Sequence, residues 1–421
     1  MVSSCIQDLK KRILPWREQA RITDEWLKFR LENILPDLME REEIDFWVII
    51  AREYNEDPVV LSLMPAAMLS ARRRTILAFH RQPDGRVERL NLGKSDPVLN
   101  EFYSPAWDPE KEEQWDALAR EIKDRDPAFI GLNYSEHFAL GDGLTKTQYD
   151  QFTAALDQGQ KGKIKSAAPL AIGWLEKRSR PELQVYDGIN RIAHAIIARA
   201  YSPAVIHPGI TTAADVAWWM RQAITDIGLQ AWFQPTVAVQ RRGQEKVAGT
   251  EAIIPGDLLH CDIGMHYLAL ATDTQQMAYV REPGSGSPPP ELEQALASGN
   301  RLQDIFTANF KEGRTGNEIF LESLEQARAE GIKASIYTHP IGIHGHGAGP
   351  TMGLFDRQEF IPFTGEYPLY EDTCYAIELN IKQEIKAWDN QEVMFALEQT
   401  AAFTGGSVIY LGGRQTTLHL I

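Results

Sequence analysis

Leu258–Val280 reads LLHCDIGMHYLALATDTQQMAYV, and this stretch decides the fold. It is apolar enough for two strands, yet it carries Asp262 and Asp273 with ten residues between them. Chain reversal around Tyr267 and Leu268 would set the two Asp residues directly opposite each other. Cross-strand Cβ atoms lie about 4.5–5.5 Å apart, and like charges there are destabilising. A cation between them reverses the sign of that interaction. Two Asp residues at strand ends beside turns is the alternative that this stretch alone leaves open.

Outward from there, the same conflict recurs. Glu378 lies in CYAIELNI and Glu398 in VMFALEQTAAF, each an isolated acid inside an apolar strand pattern. A buried charge is costly unless it is paired or bound to metal. Four acids in one core would repel one another or take up protons, whereas divalent cations would turn them into ligands. His339 opens HPIGIHGHGAGPTMG, in which three His and five Gly suggest backbone packed closely around a group. Neutral imidazole is a common ligand for divalent metals. His344 is read as incidental to that loop. Asp262, Asp273, His339, Glu378 and Glu398 together point to a dinuclear metal hydrolase.

Composition sets the frame. At 421 residues the chain exceeds one ordinary core, so two domains are expected. A formal net charge of −15 argues against nucleic acid or an anionic membrane as partner. Cys5, Cys261 and Cys374 are odd in number and lack metal spacing, which argues against a disulfide framework. No apolar run is long enough to span a bilayer. MVSSCIQDLKKRILPW lacks an apolar signal core, so the expected compartment is the cytoplasm, or the periplasm if a leader has been removed.

The first half alternates helix and strand patterns. TDEWLKFRLENILPDLMERE has helix spacing, and DFWVIIA (45–51) is a short apolar strand. RTILAFH and RVERLNLG flank the turn Pro83-Asp84-Gly85 and form a hairpin. PEKEEQWDALAREIKDRD is a charged helix leading into strand AFIGLNY (128–134). Ser166–Ser179 mixes Ala, Pro, Gly and basic residues, and the domain boundary is placed there, giving 1–170 and 171–421. A helix over about 181–201 follows. Then a turn, a helix, a Gly stop and a strand occur twice, from Gly209 and, about 104 residues later, from Gly313. The order implies two similar α/β halves around a central site. REPGSGSPPP (281–290) is a loop between them.

The chain resembles the M24 metallopeptidases, the pita-bread group of aminopeptidase P, prolidase and creatinase. The resemblance covers about residues 180–421, with a creatinase-like domain before it. It rests on Asp262 and Asp273, on His339, on His346 seven residues further, and on Glu378 and Glu398 in that order. It implies an α/β architecture: an N-terminal creatinase-like α/β domain, then a C-terminal pita-bread α+β catalytic domain. It implies two divalent metal ions, Mn²⁺ first, with Co²⁺, Fe²⁺ or Zn²⁺ as alternatives. Asp273 and Glu398 would bridge them, Asp262 would complete one shell, and His339 with Glu378 the other. The implied activity is an exopeptidase, an Xaa-Pro aminopeptidase or dipeptidase acting through a metal-bridging hydroxide. Glu378 would also move the proton, and His346 would bond the carbonyl oxygen. A short Xaa-Pro peptide is the implied partner, and a homodimer the implied assembly, with Trp218-Trp219 as candidate contacts.

Four positions depart from the group's pattern. Leu379 replaces the Pro after the third acid. VQRRGQEKVAGTEAIIPGD lacks the His that usually precedes the first Asp, Ser335 stands for a second His, and Ala396 for an Arg. Arg241 and Arg242 are the candidates for a replacement donor. The competing expectations are a hydrolase or lyase acting on a non-prolyl small molecule, and a non-catalytic binding module.

Overall fold

The computed structural model describes residues 2–421; Met1 and the side chains of residues 2–5, Cys5 among them, lie outside that description. The chain forms two compact units, Pro15–Ser179 and Met1–Leu14 with Arg180–Ile421. Helix α1 (Val2–Lys10) belongs to the second of these. No helix among the described residues is long and apolar enough to cross a membrane.

The first unit begins with α2 (Trp16–Asn33) and α3 (Leu35–Arg41). The apolar spacing alone suggested one continuous helix. It breaks at Ile34 because Pro36 has no N–H to donate and sits comfortably only in a helix's first turn. A mixed six-stranded sheet follows, built from β1 (Phe46–Arg52), β2 (Arg74–Arg81), β3 (Val87–Asn91), β4 (Ser104–Pro105), β5 (Ile130–Leu132) and β6 (Ile164–Ser166), in the order β4-β3-β2-β1-β5-β6. The hairpin expected at Pro83-Asp84-Gly85 joins β2 to β3, closed by Gln82 and Arg86. Phe46, Val48 and Ile50 of β1 pack with Leu118 and Ile122 of α4 (Gln114–Arg125) and with Phe152 of α5 (Lys146–Ala155). After the short α6 (Gln158–Lys161) comes α7 (Ala168–Glu176).

α7 lies inside Ser166–Ser179, the stretch in which the boundary is expected. Eight of its nine residues are buried, as an all-round apolar helix requires. It packs on α3, so the unit ends at Ser179 rather than at residue 170.

The second unit carries the repeat. Its helices are α8 (Arg180–Ala200), α9 (Ala213–Asp226), α10 (Pro290–Ala308) and α11 (Gly316–Ala329). α9 and α11 each run 14 residues and start with the same reciprocal cap, Thr212 with Asp215 and Thr315 with Glu318. Each is followed by a left-handed Gly, Gly228 and Gly331. The strands are β7 (Gln230–Ala231), β8 (Thr236–Gln240), β9 (Leu258–Tyr267), β10 (Leu270–Tyr279), β11 (Lys333–Ile336), β12 (His339–Pro340), β13 (Thr373–Ile385), β14 (Gln391–Thr404), β15 (Ser407–Tyr410) and β16 (His419–Leu420).

The sheet order β11-β13-β14-β10-β9-β7 is palindromic. One half is β7-β9-β10 and the other β11-β13-β14, and they meet where β10 pairs β14. Asp262 on β9 corresponds to Glu378 on β13, and Asp273 on β10 to Glu398 on β14. Leu379 pairs Ile336 and Leu397 and is fully buried. Together with Phe403 it packs against Leu302, Phe306, Ile319 and Phe320 of α10 and α11 on the face away from the acids. Trp218 is 65 % exposed on α9 and is not part of the helix core.

Candidate metal centre

The β9–β10 hairpin turns at Leu268 and Ala269, both left-handed (φ 52° and 57°). The expected reversal at Tyr267 and Leu268 is therefore one residue early. Asp262 faces Gln275, and Asp273 faces Gly264, so the two Asp residues are diagonal rather than directly opposite. A shift of two in pairing keeps them on one face, because side chains alternate with period two.

One polar row crosses four strands. Asp262, Gln275, Glu398 and Glu378 stand opposite one another in turn on β9, β10, β14 and β13. His339 enters from β12, opposite Ala376, two residues from Glu378. Its Nε2 lies 3.6 Å from Asp273 Oδ2, 3.5 Å from Glu398 Oε1 and 4.0 Å from Glu378 Oε2. Asp273, His339 and Glu398 form the tight cluster, offering one ligand atom each within 4.8 Å of one another. Glu378 borders it directly, and Asp262 joins it through the row.

Local contacts hold these groups in place. His339 Nδ1 bonds the Pro340 carbonyl at 2.9 Å, which leaves the Nε2 lone pair facing the acids. Thr338 Oγ1 bridges the backbone N–H and C=O of Glu378, at 3.1 Å each. Thr400 Oγ1 donates to the Asp273 carbonyl at 3.1 Å. Trp232 fills the space where Gly264 and Gly345 would otherwise carry a Cβ, and donates from Nε1 to the Thr272 carbonyl at 2.9 Å. The His346 ring stands edge-on to both Trp232 and His339, at 5.2 and 4.7 Å.

The electrostatics follow from burial. Desolvation pushes Asp262 up to about 6 and Glu378 up to about 7. Desolvation, then the charges of Asp262 and Glu378, drive Asp273 well above the carboxylate range. Desolvation, with Asp273 and Glu378, does the same to Glu398. Burial opposes protonation of His339, but Glu398 and Glu378 outweigh it and raise the imidazole. His346 is lowered, by burial and then by His339. Asp262 Oδ1, Asp273 Oδ1, both Glu398 oxygens and His339 Nε2 are buried without a hydrogen-bond partner. Orphaned buried acceptors from three carboxylates and one imidazole, with Glu378 beside them, are the donor set that a divalent cation satisfies.

The departures also gather. Ser335, Asn380 and Ala396 pair in turn across β11, β13 and β14, forming the row next to the acids. Asn380 Nδ2 bonds the Tyr337 hydroxyl at 3.2 Å, and the Tyr337 ring packs edge-on to Phe355. Neither Arg241 nor Arg242 serves this row. Arg241 makes a bidentate pair with buried Asp257, and Arg242 pairs Asp389. Gln275, Trp232 and Tyr337 escaped the sequence reading. Gln275 alone had a readable signal, since it shares the strand parity of Asp273.

The family model described as "Metallopeptidase family M24" matches residues 188–406. No curated protein matches the chain by sequence. Among solved structures, the X-Pro aminopeptidase from Thermotoga maritima MSB8 is similar at 15% identity, with a TM-score of 0.65 over 91% of this chain and 99% of that one. The Xaa-Pro dipeptidase from Bacillus anthracis is similar at 15% identity, with a TM-score of 0.63 over 97% and 100%. The N-terminal domain of FACT complex subunit SPT16 from Cicer arietinum is similar at 11% identity, with a TM-score of 0.59 over 94% and 99%. At these identities the likeness speaks for the architecture, a creatinase-like domain followed by a pita-bread domain.

Proposed function

The chain belongs to metallopeptidase family M24, and from that premise we propose that it is a dinuclear metallo-exopeptidase cleaving Xaa-Pro bonds, an aminopeptidase or a dipeptidase. The observation that carries this reading is the convergence of five ligand-type side chains, most with orphaned buried atoms, where the two halves of the sheet meet. Asp262, Asp273, His339, Glu378 and Glu398 would hold two divalent ions, Mn²⁺ first, since oxygen-rich sets with one imidazole suit it. Bound there, the ions would supply a nucleophile from water near neutral pH and polarise the scissile carbonyl.

The chain's own residues do the rest. Glu378, pushed up to about 7, accepts a proton and passes it to the leaving amine near neutral pH. His346, lowered by burial and by His339, stays neutral and offers an N–H to the carbonyl oxygen as charge develops there. Trp232 fixes the His346 ring from the other side. The N-terminal unit is read as the creatinase/prolidase-like domain. The homodimer belongs to the same proposal, with exposed Trp218 as its supporting surface, as does a cytoplasmic location.

The row Ser335–Asn380–Ala396 favours a second reading, the same centre acting on a substrate without proline. The small and neutral side chains in this row supply no cationic group beside the acids. Mn²⁺-loaded protein incubated with Ala-Pro, Ala-Pro-Ala-Ala and Ala-Ala-Ala-Ala, with products identified by mass spectrometry, separates the readings. Cleavage of Ala-Pro alone indicates a dipeptidase, and cleavage of the longer proline peptide an aminopeptidase. Cleavage of only the proline-free peptide establishes the second reading, and no cleavage of any overturns the peptidase assignment.

His346→Ala should keep its metals and lower kcat about 10²–10³-fold, with KM little changed, as loss of an oxyanion donor does. Metal analysis beside steady-state kinetics checks this. Wild-type turnover in that variant would remove His346 from the mechanism.

A further inference from the structure

Gln275 stands in the middle of the acid row, between Asp262 and Glu398, and has no place in the ligand set. It is buried, and both ends of its amide are engaged. Nε2 donates to Glu378 Oε1, and Oε1 meets His260 Nε2 at 2.7 Å. His260 lies two residues before Asp262 on β9, hence on the same face. Resting on the role given above to Glu378, we propose that Gln275, oriented by His260, is a positioning residue that fixes which Glu378 oxygen faces the metal centre.

The argument is one of donors and acceptors. An amide turned over would set Gln275 Oε1 against a carboxylate oxygen, two acceptors face to face. With Nε2 committed to Glu378, Gln275 Oε1 needs a donor, and His260 Nε2–H supplies one. The chain of bonds therefore has a single direction, from His260 through Gln275 to Glu378. It ties down Oε1 and leaves Oε2, 4.0 Å from His339 Nε2, as the oxygen presented to the centre. Among the described residues, Glu378 is the only one of the four acids held by a neutral side-chain donor. It is also the one whose proposed work requires a defined oxygen. An untethered carboxylate could rotate or present both oxygens.

The test is Co²⁺ titration of the metal-free full chain, followed by calorimetry and visible absorption, with kcat and KM measured on the peptide the wild type cleaves. Gln275→Leu should weaken Co²⁺ binding about 10–100-fold, as loss of an outer partner does, and alter the Co²⁺ absorption, which reports ligand geometry. It should lower kcat by a similar factor with KM within about twofold. His260→Leu should lose part of the same affinity. His260→Gln, whose amide can donate to Gln275 Oε1, should recover most of it. Gln275→Leu with wild-type Co²⁺ affinity and spectrum overturns the proposal, as does His260→Gln performing no better than His260→Leu. If Gln275→Leu does not fold, the His260 pair decides. Because Co²⁺ binding needs no substrate, a wild type that cleaves no peptide overturns the peptidase reading while this test stands. A wild type that binds no Co²⁺ overturns both.

Discussion

Glu398→Gln is expected to strip the protein of at least one metal, to lower kcat/KM by about 10³-fold or more, and to raise the melting temperature of the metal-free form. The first two effects follow from position. Glu398 lies where β10 meets β14, fully buried, with His339 on one side and the Asp262–Gln275 row on the other. Neither of its oxygens has a hydrogen-bond partner. The third effect has the opposite sign to an ordinary core substitution. Without metal, Glu398 must either ionise beside Asp273 and Glu378 or hold a proton, and both raise the cost of folding. Gln keeps the shape, removes the charge and can donate to Asp273. A gain of about 2 °C or more is expected, since about 1 kcal/mol moves Tm by 2–4 °C in large domains. Scanning calorimetry in chelator and metal analysis after dialysis are the measurements. Full metal content in Glu398→Gln would sink its place as a bridging ligand. A lower metal-free Tm would show that the acid is no burden to the fold.

The same conflict explains why the centre was legible in the sequence. Glu378 and Glu398 stand alone in apolar strands, where burial without a partner is expensive, so they read as candidate ligands without any knowledge of the fold. Strand parity likewise put Asp262 and Asp273 on one face. Their register was another matter. Turns of this kind usually announce themselves with Asn-Gly or Asp-Gly, whereas here Leu268 and Ala269 take the left-handed conformation without that signal. Ser166–Ser179 marks the boundary through its Ala, Pro and Gly but hides a helix, because Leu170, Ile172, Trp174 and Leu175 are buried all round, which periodicity cannot reveal. Trp232 had no signal either. Its place depends on Gly264 and Gly345, which approach it from distant parts of the chain.

Metal removal should make stability depend on pH in a direction opposite to that of a protein held by ion pairs. The folded-state values of Asp262 and Glu378 are about 6 and 7, and Asp273 and Glu398 lie well above the carboxylate range. The unfolded values are about 4. A group with a raised folded value binds its proton more tightly when folded, so its contribution is fully present below the unfolded value and is lost as pH rises through the folded one. His339, also raised, acts in the same sense, while the lowered His346 opposes it more weakly as a single half-buried ring. The metal-free protein should therefore lose Tm steadily between about pH 4 and 7 from this cluster. Bound Mn²⁺ would take the place of those protons, and its affinity would rise as the acids give them up. At a hundredfold excess over Kd each ion would contribute about 2.7 kcal/mol, or about 10 °C or more for two sites in a domain of this size. The Tm gap between Mn²⁺-loaded and chelated protein should thus widen from pH 5 to pH 8. Calorimetry of both forms at unit pH steps decides it. A gap that stays constant or narrows would mean that the acids are not the groups the cations neutralise. The hydrolytic centre would then have to be sought away from the row that joins the two halves of the sheet.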